Sequence, residues 1–141
     1  MESLKVVFKN GVFVPVEPVS IPEGTEGIVV YSVRSEMPRW WELLGVDDEK
    51  KGALRSFVEG VRRRVEYREI KVVEEDGEFE VFLLTEDEGR ALKPAMEEAL
   101  RVYEETGVYI PLQVISERRL RRWREMGNPV YERIEGGISV G

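Results

Sequence analysis

Cysteine and histidine are both absent from the 141 residues. Without Cys there is no disulfide framework and no thiolate nucleophile; without His there is no imidazole base and no mixed Cys/His zinc site. These absences exclude most hydrolase triads and most structural zinc modules. Side-chain amides are scarce as well, with Asn10, Gln113 and Asn128 the whole set. Few thermolabile amides beside abundant Glu, Lys and Arg is the usual bias of proteins from very hot habitats. No run approaches the ~20 apolar residues that a membrane span needs, and no signal peptide opens the chain, so a cytoplasmic protein away from membranes is expected. The net charge of −7 argues against general nucleic-acid affinity, because counterion release needs a basic surface.

What is present begins with turn signals. Asn10-Gly11 lies between two β-branched and aromatic runs, residues 4–9 and 12–17. That arrangement predicts a hairpin, since both central residues of its turn need positive φ. A link through Pro18 and Pro22 reaches Glu23-Gly24 and a third apolar run, residues 28–33. Pro15 lacks a backbone donor, which makes the second strand an edge. Such an edge with Phe13, Val14 and Val16 invites a second copy of the chain as its cover, or the following helices instead.

Further along, residues 37–44 read as a short helix with Trp40-Trp41, ended by Gly45. Asp47 or Asp48 caps a longer helix with Leu54, Phe57, Val58, Val61 and Val65 as its buried stripe. Lys50, Lys51, Arg55, Arg62 and Arg63 form its outer face. Asp76-Gly77 marks a second hairpin, joining residues 67–75 to residues 78–85. The second of these strands is apolar on both faces in its latter half, as in a covered sheet. A capping box over residues 85–88 opens a helix with a predicted buried stripe of Leu92, Ala95, Met96, Ala99, Leu100 and Tyr103. A strand over residues 108–115 carries Pro111 and so belongs near a sheet edge. Ser116 then caps a helix over residues 117–126. The expected fold is α+β. A small N-terminal antiparallel hairpin module of three strands spans 1–35, a helical connector 36–66, and a C-terminal α/β unit with a mixed sheet 67–141.

The run from Val6 to Val16, with Asn10-Gly11 and Pro15 inside it, followed by Ile21-Pro22-Glu23-Gly24, resembles a family of small archaeal and cyanobacterial proteins thought to supply the antitoxins of toxin–antitoxin pairs. Val16 stands where that family often has Leu. The resemblance covers about the first quarter of the chain. It implies a non-enzymatic, stoichiometric protein that occludes a toxin, such as a ribonuclease with an acidic metal-binding site, and needs no cofactor or metal.

The order of elements after Glu78 resembles the back half of the minimal nucleotidyltransferase fold, clearest in Thr106-Gly107-Val108-Tyr109-Ile110 and in the ending from Asn128 to Ile138. That likeness implies two carboxylates one residue apart holding Mg²⁺ for ATP chemistry, here Glu78 and Glu80. They are Glu where that family has Asp. Glu74-Glu75-Asp76-Gly77 replaces its Gly-Ser phosphate loop, and Gln113 lies on the strand that often supplies a third acid. An enzyme of this kind is therefore the alternative, not the first reading.

Charge is unevenly spread. Every charged residue in 74–88 is acidic, whereas the helix after Ser116 carries Arg118, Arg119, Arg121, Arg122 and Arg124, with Leu120 and Trp123 between them. Arg forks match carboxylates and phosphates. Three uses are open: neutralising the acidic segment within a chain or between subunits, docking an acidic partner through these arginines and Trp123, or autoregulatory DNA binding.

Overall fold

The computed structural model describes residues 3–30 and 37–141. The chain divides into two compact units, Met1–Ser35 and Glu36–Gly141.

In the first unit, β1 (Val6–Lys9) and β2 (Val12–Pro15) pair antiparallel with Phe8 opposite Phe13. Asn10 and Gly11 take φ of 52° and 83°, the left-handed pair that the tight turn requires. The ladder continues past Pro15, since Val16 N–H donates to the Lys5 carbonyl at 2.9 Å. The expected third strand is not formed at Ile28, Val29 or Val30; the rest of that run, residues 31–33, lies outside the described residues. Ile28 and Val30 stand more than 90% exposed, with no neighbouring strand to cover them. Among the described residues this unit buries no apolar side chain.

The second unit is built in three layers. Its sheet has the order β5-β4-β3-β6, from β3 (Glu69–Glu75), β4 (Glu78–Thr85), β5 (Leu112–Ser116) and β6 (Ile138–Ser139). β4 runs antiparallel to β3 and parallel to β5, so the sheet is mixed. Asp76 and Gly77 turn the β3–β4 hairpin with φ of 53° and 78°. Phe79, Val81 and Leu83 face a core with α1 (Asp48–Arg64) and α2 (Glu88–Thr106). Phe82 and Leu84 face the other way, onto Ile115 and Ile134. Alternation along one strand thus supplies both cores, which is why β4 reads as apolar on both sides.

α1, expected as part of a connector, supplies one of these layers through Leu54, Phe57, Val58 and Val61. Asp47 caps it by accepting from Lys50 N–H at 2.9 Å. The two tryptophans of the 3-10 turn Arg39–Leu43 divide as helical geometry requires: Trp40 is buried and Trp41 half-buried. Lys51 departs from the expected basic outer face. It is buried, with its ammonium 5.7 Å from the Trp41 ring centroid, where cation–π attraction offsets lost hydration.

The start of α2 also differs from expectation. Its cap is Asp87, which accepts from Arg90 N–H, whereas Thr85 spends its hydroxyl on the Glu66 carbonyl. Glu88, the supposed fourth member of a capping box, instead accepts from Ser116 N–H at 2.7 Å and so ties α2 to the end of β5. The helix runs unbroken through Pro94 and closes on Gly107 at φ 78°. Its buried face is Ala91, Ala95, Glu98 and Val102, with Ala99 packed beside them. Leu92, Met96, Leu100 and Tyr103 of the predicted stripe are about half exposed. Small residues won the interior because they let α2 lie close against α1 at Gly60.

That approach traps an ionic group. The buried Glu98 carboxylate accepts from Arg101 Nε at 2.6 Å and from Arg64 at 3.4 Å. Burial alone would raise the Glu98 pKa, but hydrogen bonds and charge from Arg101 and Arg64 hold it below its ordinary value of 4.5. The Arg64 hydrogen bond likewise lowers Glu97. A carboxyl depressed by folding contributes stability above its unfolded pKa and loses it as pH falls through the folded value. The melting temperature is therefore expected to fall as acid is added below pH ~4.5, and to fall less steeply in Glu98→Gln. Thermal melts of both proteins across that window check this; parallel curves would remove Glu98 as a cause.

Candidate interaction surface

The arginine helix is α3 (Glu117–Glu125), followed by α4 (Pro129–Glu135). Ser116 begins α3 by accepting from Arg119 N–H at 3.0 Å. Gly127, at φ 69°, reverses the chain, and Asn128 caps α4 by accepting from Val130 N–H. α3 itself buries no residue fully. It is held by Leu120 and Trp123, which pack half-buried on the core of Phe82, Leu84, Ile115 and Ile134. Residues three apart share a helix face, so this pair fixes which side faces outward. Arg118, Arg121 and Arg122 fall on the opposite side, with Arg124 flanking, and all four are exposed.

Arg119 differs from its neighbours. Its guanidinium lies 5.2 Å from the Trp123 ring centroid and 3.4 Å from Glu88 Oε2. It therefore braces α3 against the start of α2. Of the six expected partner-contacting residues, Arg119 and Trp123 have structural work, whereas Arg118, Arg121, Arg122 and Arg124 have no ion pair among the described residues.

The acidic segment finds its cations elsewhere. Glu75 and Glu80 both reach Arg133 of α4, at 3.8 and 3.5 Å. Glu78 pairs with Lys50 at 3.3 Å, and Glu86 with Arg68. Glu74 accepts from Gly45 N–H through both oxygens. Neutralisation within the chain, one of the three uses open for α3, thus involves only Arg119 from that helix among the described residues.

Glu78 and Glu80 sit two apart on β4, yet they are drawn to opposite layers: Lys50 belongs to α1 and Arg133 to α4. Glu78 edges a hollow of about 310 Å³ with Asp47, Lys50 and Tyr109, and Glu80 is not among its walls. Gln113 pairs across β4 with Phe82, so no carboxylate reaches the pair from β5. Among the described residues no three acidic side chains converge. Two carboxylates, each facing a cation and not each other, do not fit a Mg²⁺ ion, which prefers converging oxygens at ideal octahedral positions.

A larger groove of about 800 Å³ runs between the end of α1 and the start of α2. Of its three arginines, Arg64 is committed to Glu97 and Glu98 and Arg68 to Glu86 and Glu117, while Arg90 has no ion pair among the described residues. On the hairpin, Phe13, Val14 and Val16 are all exposed, with the Phe13 ring 5.1 Å from that of Phe8. Among the described residues no helix is long and apolar enough to cross a membrane. Set against known proteins, the chain matches no family model, no curated protein and no solved structure.

Proposed function

We propose that this protein is a non-enzymatic interaction module, the antitoxin-like member of a toxin–antitoxin pair, acting in the cytoplasm. One observation carries the reading. The acidic segment takes its cations from Lys50, Arg68, Arg119 and Arg133, leaving Arg118, Arg121 and Arg122, with Arg124 at their flank, exposed and without an ion pair among the described residues. Uncompensated guanidinium groups on a rigid helix suit bidentate capture of carboxylates on another molecule. The partner that fits is a protein with an acidic surface, such as a ribonuclease whose active site gathers carboxylates around a metal. The protein would block that site by occupying it.

The likeness of the first quarter of the chain to antitoxins supports the same reading, as does a hairpin unit that buries no apolar side chain among its described residues. Phe13, Val14 and Val16 are the residues we assign to association of two hairpins.

The double reversal Arg121→Glu with Arg122→Glu tests the proposal. Both side chains are exposed and carry no packing, so the melting temperature is expected to stay within ~1 °C of wild type, while the co-purifying protein is lost. Undiminished co-purification would remove this face from the mechanism. Binding to DNA in place of protein would show instead as an affinity that falls steeply with salt.

A further inference from the structure

α2 carries two apolar stripes, and only one is used inside the unit. Ala91, Ala95 and Val102 face the core. Leu92, Met96, Leu100 and Tyr103, spaced by four, four and three, form a second stripe that is about half exposed at every position. Four large side chains in line over three turns are more than scattered surface hydrophobics, which need no explanation singly. Such spacing is that of a helix seam made to receive another helix.

The charges beside this stripe identify its cover. Lys93 follows Leu92 and Glu104 follows Tyr103, so both lie on the same flank, 11 residues or ~16 Å apart. Both are exposed, and neither has an ion pair among the described residues. Glu97, on the same side between them, is held by Arg64 at 2.8 Å and also feels the charge of Lys93 one turn before it. A positive group at one end and a negative group at the other are self-complementary when a second identical helix runs the opposite way. A two-fold axis level with residue 98 sets Met96 opposite Leu100 of the second copy and brings Lys93 to Glu104, and Leu92 to Tyr103, each within about one residue rise of level. In a parallel pairing the two copies of this flank would lie on opposite sides of the seam, and Lys93 and Glu104 would not meet.

We propose that two copies of this chain associate through antiparallel packing of their α2 helices. This interface is separate from the arginine face of α3 and from the hairpin. It requires neither to act as assigned above. β5, to which α2 leads, is an edge strand of the sheet, so the dimer would form along that side of the unit.

Sedimentation velocity on the full chain at micromolar concentration tests the proposal. With the hairpin contact removed by Phe13→Asp, the chain is expected to be a dimer, and Phe13→Asp with Met96→Lys a monomer with unchanged circular dichroism. Lys93→Glu alone and Glu104→Lys alone are each expected to raise the dissociation constant about tenfold, since every change acts twice across the two-fold axis. The double variant Lys93→Glu with Glu104→Lys restores opposite charges and is expected to return to the wild-type constant. Phe13→Asp should leave this dimer intact. The proposal is overturned by a wild-type monomer, which is also the outcome if the hairpin of the same chain covers the stripe. It is overturned equally by a dimer that survives Met96→Lys in the Phe13→Asp background, by a double variant as weak as the singles, or by dissociation in Phe13→Asp.

Discussion

Phe82→Ala is expected to cost about 3–5 kcal/mol of unfolding free energy. Phe82 is fully buried on β4, an interior strand of the sheet, and anchors the small core with Leu84, Ile115 and Ile134. That core holds α3 and α4, and α3 has no fully buried residue of its own. Removing the ring leaves a cavity beneath Leu120 and Trp123 that so few neighbours cannot close. The first core, with Phe57, Leu54 and Val61, lies on the other face of the sheet and is untouched. Urea unfolding should therefore show a lower midpoint, and partner binding through α3 should weaken along with it. A loss under ~1 kcal/mol would mean that α3 is held by something other than this packing.

The second large effect comes from a glycine. A Cβ added at Gly60 would lie 2.5 Å from Glu98 Oε2, 2.7 Å from Glu98 Cδ and 2.9 Å from Arg101 Nη2. Glu98 is buried and doubly paired, so it can yield only by giving up its arginines. Gly60→Val is expected to destabilise by about 2–4 kcal/mol, from displacing a buried carboxylate and overfilling the α1–α2 contact. Gly60→Ala should cost less, because alanine recovers about 1 kcal/mol of helix propensity. The diagnostic is a change of sign. In a Glu98→Ala background only the tip of the Arg101 side chain still crowds the position, and Gly60→Ala should become neutral or stabilising as that flexible end shifts. If Gly60→Ala destabilises equally in both backgrounds, Glu98 is not what the glycine accommodates.

Local chemistry made much of this fold legible. Asn10-Gly11 and Asp76-Gly77 announce their hairpins because few residues tolerate positive φ, and both turns are there. The stripe from Leu54 to Val65 faces inward because α1 has one apolar face and no rival. The mixed α+β architecture followed from these elements.

α2 was less readable for a definite reason. It has two overlapping stripes, and period alone cannot say which is buried. The deciding contact lies between helices, where Gly60 of α1 leaves room for Glu98 and Arg101 of α2, segments more than 30 residues apart. Lys51 was misplaced for a similar reason, since its position on an outward-reading face gives no hint that Trp41 lies above it.

The candidate surface divides along the same line. That α3 is basic and segment 74–88 acidic is plain from composition. Which charges cancel is not, because the pairing depends on Arg133, Lys50 and Arg68 arriving from other elements. Arg133 gave no signal in the sequence, where it stands among acids and apolar residues. The arginines left over by that accounting are the ones assigned to the partner.

That assignment is tested most directly by weighing what stays bound when the wild-type chain is purified at low salt from its own cells. The expected result by native mass spectrometry is a complex with one acidic protein at a fixed ratio, absent when Arg121→Glu and Arg122→Glu are purified the same way. The chain found alone, bound to nucleic acid, or carrying the same protein in the double variant would contradict it.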